Sequence, residues 1–178
     1  MAAFFDQLEE DHISFIADQP LFFVASAAPD ARINLSPKGM DCFRVLSPNR
    51  CAYLDVTGSG NETAAHIKAD GRLTFMFNSF SQKPLILRLY GQGAVARIGS
   101  SEFETYTDQF PDIPGARQLI FMDIQSVQTS CGFAVPRMTL VEERPILRQW
   151  AEGKGPDGIA AYQQDRNAKS IDGLDTGL

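Results

Sequence analysis

Apolar positions along this chain fall into two rhythms. LFFVASA, Leu21 to Ala27, is a short continuous apolar run, which predicts a buried strand. APDA supplies a turn. In RINLSPKG, Ile33 and Leu35 alternate with Arg32, Asn34 and Ser36, the period of a half-buried strand, and Pro37 and Gly39 close it. The two runs predict a hairpin. Four further strands are expected at CAYLDVT (Cys51–Thr57), RLTFMFNSF (Arg72–Phe80), LILRLYGQGAVARI (Leu85–Ile98) and LIFMDIQSVQTSC (Leu119–Cys131). Gly91 and Gly93, inside the second-last of these, mark a bulge or a sharp bend.

The 3.6-residue rhythm is confined to short segments. Asp11 to Asp18 predicts a helix with Ile13 and Ile16 on one side, ended by Pro20. Asn61 to Asp70 predicts another, with Gly71 as its C′ residue. Ser101 and Glu104 form a capping-box pattern, with Phe103, Tyr106 and Phe110 inward. After Arg144 the texture changes. Pro145 suits a first helical position, Ile146 and Trp150 sit four apart, GKGPDG interrupts, and IAAYQQDRNAKS resumes. Six strands joined by short links predict a mainly β fold. The expectation is a six-stranded antiparallel barrel with added helices, not a repeating β-α-β wind.

Length and charge narrow the picture. At 178 residues one folding unit is expected: residues 1–140 as the barrel with its N-terminal helix, and 141–178 as a helical extension packed on it. A net charge of −6 without a basic run argues against nucleic acid and anionic membrane as partners. No apolar run approaches the length of a membrane span, and MAAFFDQLEEDH carries acids where a secretory signal would carry bases. Cytoplasm is the expected compartment. Cys42, Cys51 and Cys131 have no metal or disulfide spacing, and His12 and His66 have no ligand partners, so no metal site is expected.

The chemistry concentrates at TGSGNET, Thr57 to Thr63. A dinucleotide fingerprint would need a third glycine at Thr63 and an acid near Asn78, and a Walker A loop would need a lysine. Neither is present. A helix start still offers free N–H groups and a partial positive charge, glycines admit close backbone approach, and Thr57, Ser59, Asn61 and Thr63 add short donors. The alternative is that Asn61 simply caps the helix. Lys38, at a strand end beside Ser36, could add charge or stand in solvent. Arg88 interrupts an apolar strand on the side of Tyr90 and Gln92, facing either solvent or an acidic ligand. Asp55 and Glu62 are the acid–base candidates, although a Glu in a first helical turn needs no function. Ser130 and Cys131, in QTSCGF, end the last strand at a polar edge. No G-x-S-x-G elbow exists, and no catalytic residue is assigned.

INLSPKG, YLDVTGSGNET, RLTFMF and LRLYGQGAV, in that order, resemble the pyridoxamine 5′-phosphate oxidase-like flavoproteins with an FMN-binding split barrel, over about Leu21 to Phe133. The resemblance implies FMN bound at the interface of a homodimer. It implies contacts from Asn34, Leu35, Ser36 and Lys38, from Thr57, Gly58, Ser59, Asn61 and Thr63, and from Arg88, Ser130 and Cys131. Lys38 and Thr57 match the oxidase's strand-end lysine and threonine. Val56 replaces its tyrosine, and Asn61, Glu62 and Thr63 stand where Ser-Arg-Lys would begin the helix. The oxidase's C-terminal Arg-x-His motif is absent, so oxidation of pyridoxine 5′-phosphate is not expected. The implied activity is FMN-dependent oxidoreduction of an unknown small molecule. A flavin carrier or sensor, or a barrel holding haem or a deazaflavin, are the alternatives.

Overall fold

The computed structural model describes residues 2–178. Its centre is an eight-stranded antiparallel sheet: β1 (Ala3–Phe5), β2 (Phe22–Ser26), β3 (Asn34–Lys38), β4 (Phe43–Ser47), β5 (Arg50–Val56), β6 (Arg72–Asn78), β7 (Ile86–Arg97) and β8 (Ala116–Ser130). The strand order is β3-β2-β6-β7-β8-β5-β4, and β1 pairs with the far half of β8. The expected β2–β3 hairpin is present, with Phe22 opposite Lys38 and Ser26 opposite Asn34.

Two strands exceed the expected six. β1 is only three residues long, too short to carry a period. β4 has Phe43 and Val45 on one side of Arg44, and it turns at Pro48-Asn49 into β5. β8 begins at Ala116, three residues before its expected start, so Arg117 and Gln118 are strand residues. Both are buried, which an apolar-period reading does not anticipate.

The helices are α1 (Glu10–Ala17), α2 (Glu62–Ala69), α3 (Ser101–Tyr106) and α4 (Ile146–Arg166). The α3 cap is Ser100, one residue earlier than the sequence pattern placed it, and its Oγ accepts from the Phe103 N–H at 3.2 Å. α4 is two helices meeting at Gly155, whose φ of 66° is outside the helical region. The interruption read from GKGPDG is therefore real, and Trp150 meets Tyr162 across it, ring centroids 5.1 Å apart.

Phe22, Phe43, Tyr53, Phe75 and Phe77 fill the barrel with edge-on and stacked rings 4.9–5.8 Å apart. Such pairs add stabilisation beyond the area they bury. Phe43 and Phe22 come from strands near opposite ends of the sheet order. Their contact shows that the sheet curls until its two ends approach. The ends are not joined by a ladder: no pairing links β3 to β4 or β5. The sheet is a barrel left open along one seam.

Candidate functional site

The seam is where the chemistry gathers. β3, at one end of the sheet order, has one edge unpaired. Across the gap lie the end of β5, the loop Thr57–Asn61 and the start of α2. Residues 165–171, where α4 ends and the C-terminal segment begins, form the third wall. Together they enclose a cleft of about 920 Å³.

Side chains bridge the seam where backbone ladders do not. Lys38 Nζ donates to Asp55 Oδ1 at 3.0 Å. Arg117 Nε donates to Asp55 Oδ2 at 2.8 Å, and Gln118 Nε2 donates to the same oxygen at 2.7 Å. The remaining Arg117 donors reach Asn167 Oδ1 at 2.6 Å and the Gly60 carbonyl at 2.9 Å. One guanidinium thus ties β8 to β5, to the glycine loop and to the end of α4. Arg117 is 5% exposed and Asp55 2%.

Burial alone would raise the Asp55 carboxyl's pKa, but Lys38 and Arg117 outweigh it and hold the group well below the ordinary carboxylate range. Asp55 is therefore ionised at neutral pH and is no proton donor there. Its folded carboxyl binds a proton more weakly than its unfolded one. The stabilisation is complete at neutral pH, shrinks as pH falls below the unfolded value of about 4, and vanishes below the folded value. Urea midpoints taken downward from pH 7 should fall more steeply for the native chain than for Asp55→Asn. Parallel slopes would show that another group governs the acid limb.

The start of α2 departs from the capping reading of its loop. Asn61 occupies the N-cap position, but its side chain makes no cap hydrogen bond. Its Oδ1 instead accepts from Gln118 Nε2 at 2.8 Å. Asn61 is 2% exposed and lines the cleft, and its Nδ2 is buried without a partner. An unmet buried donor of this kind is costly, and native structures rarely leave one. The first turn of α2 thus has no capping side chain for its N–H groups, and its residues Glu62 and Thr63 line the cleft.

Of the residues singled out in the sequence, Asn34, Leu35, Ser36, Lys38, Gly58, Ser59, Asn61 and Thr63 line this one cleft. Asn34 Nδ2 donates to Ser26 Oγ and Thr63 Oγ1, both at 3.2 Å, and Ser36 Oγ donates to Asn34 Oδ1 at 3.0 Å. These bonds fix β3 against α2. Thr57 stands behind the wall: it is fully buried, donates to the Gly115 carbonyl at 2.7 Å and accepts from Gln163 at 2.8 Å. Arg88, Ser130 and Cys131 do not line the cleft. Arg88 Nη1 donates to Ser130 Oγ at 3.2 Å beside the Tyr90–Gln128 bond, in a polar strip on β7 and β8. Sequence reading missed Arg117, Arg166 and Lys169 altogether. A lone arginine two residues after Gly115 gives no local signal of burial.

Glu62 has a role the sequence did not suggest. Both its carboxylate oxygens accept the Ile171 N–H, at 3.0 and 3.1 Å. It clasps the C-terminal segment while its carboxylate lies against Gly60 of the loop.

Comparison with known proteins agrees with this architecture. The family model for pyridoxamine 5′-phosphate oxidase matches residues 8–131. The chain is 39% identical to the pyridoxamine 5′-phosphate oxidase family protein ustO of Aspergillus flavus, over 98% of this chain and 77% of that one. Among solved structures, a Lactobacillus delbrueckii protein named for pyridoxamine 5′-phosphate oxidase is similar with TM-score 0.54 and 19% identity, over 69% of this chain and 94% of the other. The FAD binding protein of Mycobacterium smegmatis is similar with TM-score 0.52 and 9% identity, over 70% and 97%. HupZ of Group A Streptococcus is similar with TM-score 0.52 and 15% identity, over 67% and 91%. The open barrel, its antiparallel strand order and these matches place the chain in the pyridoxamine 5′-phosphate oxidase family.

Proposed function

We propose that this chain binds FMN in the seam cleft, as a homodimer, and serves as an FMN-dependent oxidoreductase acting on a small molecule. The observation that carries the reading is the uncapped start of α2, with the buried, unpartnered Asn61 amide beside it. Helix starts of this kind accept phosphate. The unpaired edge of β3 offers backbone donors and acceptors for the polar edge of a flat ring. A bound flavin would supply the hydride transfer itself.

The chain's own residues have defined parts in that scheme. Lys38 contributes charge at the mouth while Asp55 fixes its ammonium in place. Arg117 holds the Gly60 carbonyl, which sets the loop from which the α2 donors project. Asp55, the buried acid of the cleft, is committed to Lys38 and Arg117, so the cleft's contribution is orientation and exclusion of water. The polar strip of Arg88, Ser130 and Cys131 lies outside the cleft of its own chain, and a second copy is the route by which it would reach one. That favours a dimer over a monomer for the complete site.

The purified protein should take up FMN with quenching of flavin fluorescence, and mass analysis after denaturation should return FMN. Bleaching of the bound flavin's absorbance by NADH or NADPH, then recovery on adding an acceptor, supports turnover. Binding without bleaching leaves a carrier or sensor. Release of haem or a deazaflavin, or no uptake of FMN at micromolar protein, would defeat the FMN assignment.

A further inference from the structure

Helix α2 buries an imidazole. His66 is 1% exposed, and its Nδ1 lies 3.0 Å from the Oγ of Ser26 on β2, itself 3% exposed. The Nε2 of His66 is buried without a partner. An apolar side chain would pack there without leaving a nitrogen unmet, so packing alone does not account for a histidine.

Side chains join this imidazole to the cleft. Asn34 Nδ2 donates to Ser26 Oγ and to Thr63 Oγ1, and Asn34 Oδ1 accepts from Ser36 Oγ. Asn34, Ser36 and Thr63 line the cleft, whereas Ser26 and His66 are buried behind them. The row Ser36–Asn34–Ser26–His66 runs from β3, across the ladder where Asn34 faces Ser26, to α2.

Hydrogen counting leaves that row two senses. Ser26 has one hydroxyl proton, and burial requires that it be donated. With the Asn34 amide nitrogen on Ser26, that proton goes to His66 Nδ1, and the imidazole carries its own proton on Nε2. Ser36 then commits its proton to Asn34 Oδ1 and turns lone pairs to the cleft. In the opposite sense His66 donates from Nδ1, Ser26 donates to Asn34 Oδ1, and the amide turns its nitrogen to Ser36. The Ser36 proton is then released toward the cleft. Mixed arrangements put two protons on one contact or leave the buried Ser26 proton unmet. The structure has the first sense.

We infer that His66 is a positioning residue for the cleft: through Ser26, its Nδ1 fixes the Asn34 amide and so makes Ser36 a hydrogen-bond acceptor at the β3 edge. The ligand class it selects is one that turns an N–H donor toward β3. The buried histidine then has a physical account, because only a side chain that accepts the Ser26 proton holds the row in this sense.

Nitrogen NMR of the imidazole at neutral pH reads the tautomer and needs no ligand. Native His66 should carry its proton on Nε2. A proton on Nδ1, or on both nitrogens, would overturn the inference. Asn34→Asp replaces the amide donor with an acceptor, so the Ser26 proton should turn to residue 34 and the His66 proton should move to Nδ1. A histidine that only fills space would keep its proton on Nε2, and that result would also overturn the inference. The flavin measurements rest on the FMN reading above. Ser36→Ala and His66→Leu should each weaken FMN binding about fivefold, the loss of one neutral hydrogen bond. The double variant should bind no more weakly than His66→Leu alone. Losses that multiply would show that His66 does not act through Ser36. If His66→Leu does not fold, the tautomer measurements decide by themselves. Failure of FMN to bind would defeat the FMN reading, and the tautomers would still decide the sense of the row.

Discussion

Replacing Arg117 with methionine should cost about 3–5 kcal/mol of folding stability, the range for removing one partner of a buried ion pair. Methionine roughly fills the aliphatic volume, so the loss measures the charge and its bonds. Asp55 would keep the part-exposed Lys38 and the neutral Gln118 amide but lose its buried cation, and a buried carboxylate so deprived is poorly solvated. Asn167 Oδ1 and the Gly60 carbonyl would also lose their donors. For a chain of this length the melting temperature should fall by about 10 °C. The loss should spread to the site, because the Gly60 carbonyl sets the loop before α2. Native-state hydrogen exchange would then show faster opening at residues 57–63 than at β6. A loss under 1 kcal/mol in urea denaturation would mean that Arg117 is a bystander in the seam.

Gly91→Ala should be nearly as damaging, for a different reason. β7 and β8 pair along twelve residues of β7, but their register shifts between Tyr90 and Gly91, where Gln125 of β8 is the extra residue. At this bulge the Asp123 carbonyl comes so close that a Cβ on residue 91 would sit 2.1 Å from its oxygen and 2.9 Å from its carbon. Met122 Cγ, at 2.9 Å, could rotate away, but the Asp123 atoms are main-chain and no rotamer change relieves them. Either β8 moves, with its ladders to β5 and β7, or the bulge opens. Overpacking usually costs 1–3 kcal/mol, and a clash against backbone belongs at about 3 kcal/mol or above. Gly93→Ala is the comparison. There the added methyl meets Ile67 Cγ1 at 2.7 Å and Cδ1 at 2.8 Å, side-chain atoms of α2 that can rotate away. The Gly91 variant should unfold at clearly lower urea than the Gly93 variant. The reverse order would show that the bulge is plastic.

Both predictions turn on residues whose weight differs from their appearance in the sequence. Gly91 was marked as a bend from its place inside an apolar strand, and the bend exists. Arg117 had no such mark. It follows a proline and glycine-containing stretch that reads as loop, and its burial depends on three partners from β5, the glycine loop and α4. Those partners are 50 to 62 residues away along the chain.

Local pattern by itself determined most of the elements. Alternation and apolar runs located six strands, the β2–β3 hairpin, four helical regions and the break at Gly155, because each depends on residues a few positions apart. The loop before α2 was also legible, since glycines and short polar side chains at a helix start have a local physical meaning. Only the tertiary structure decided what surrounds that loop. The curling of the sheet brings Lys38 to Asp55, and Arg117 joins them from β8. The C-terminal segment folds back across more than a hundred residues to meet Gly58 and Glu62 and form a wall of the same cleft. Those contacts depend on long-range closure of the barrel, and a charge facing a cleft has the same local sequence as a charge facing water.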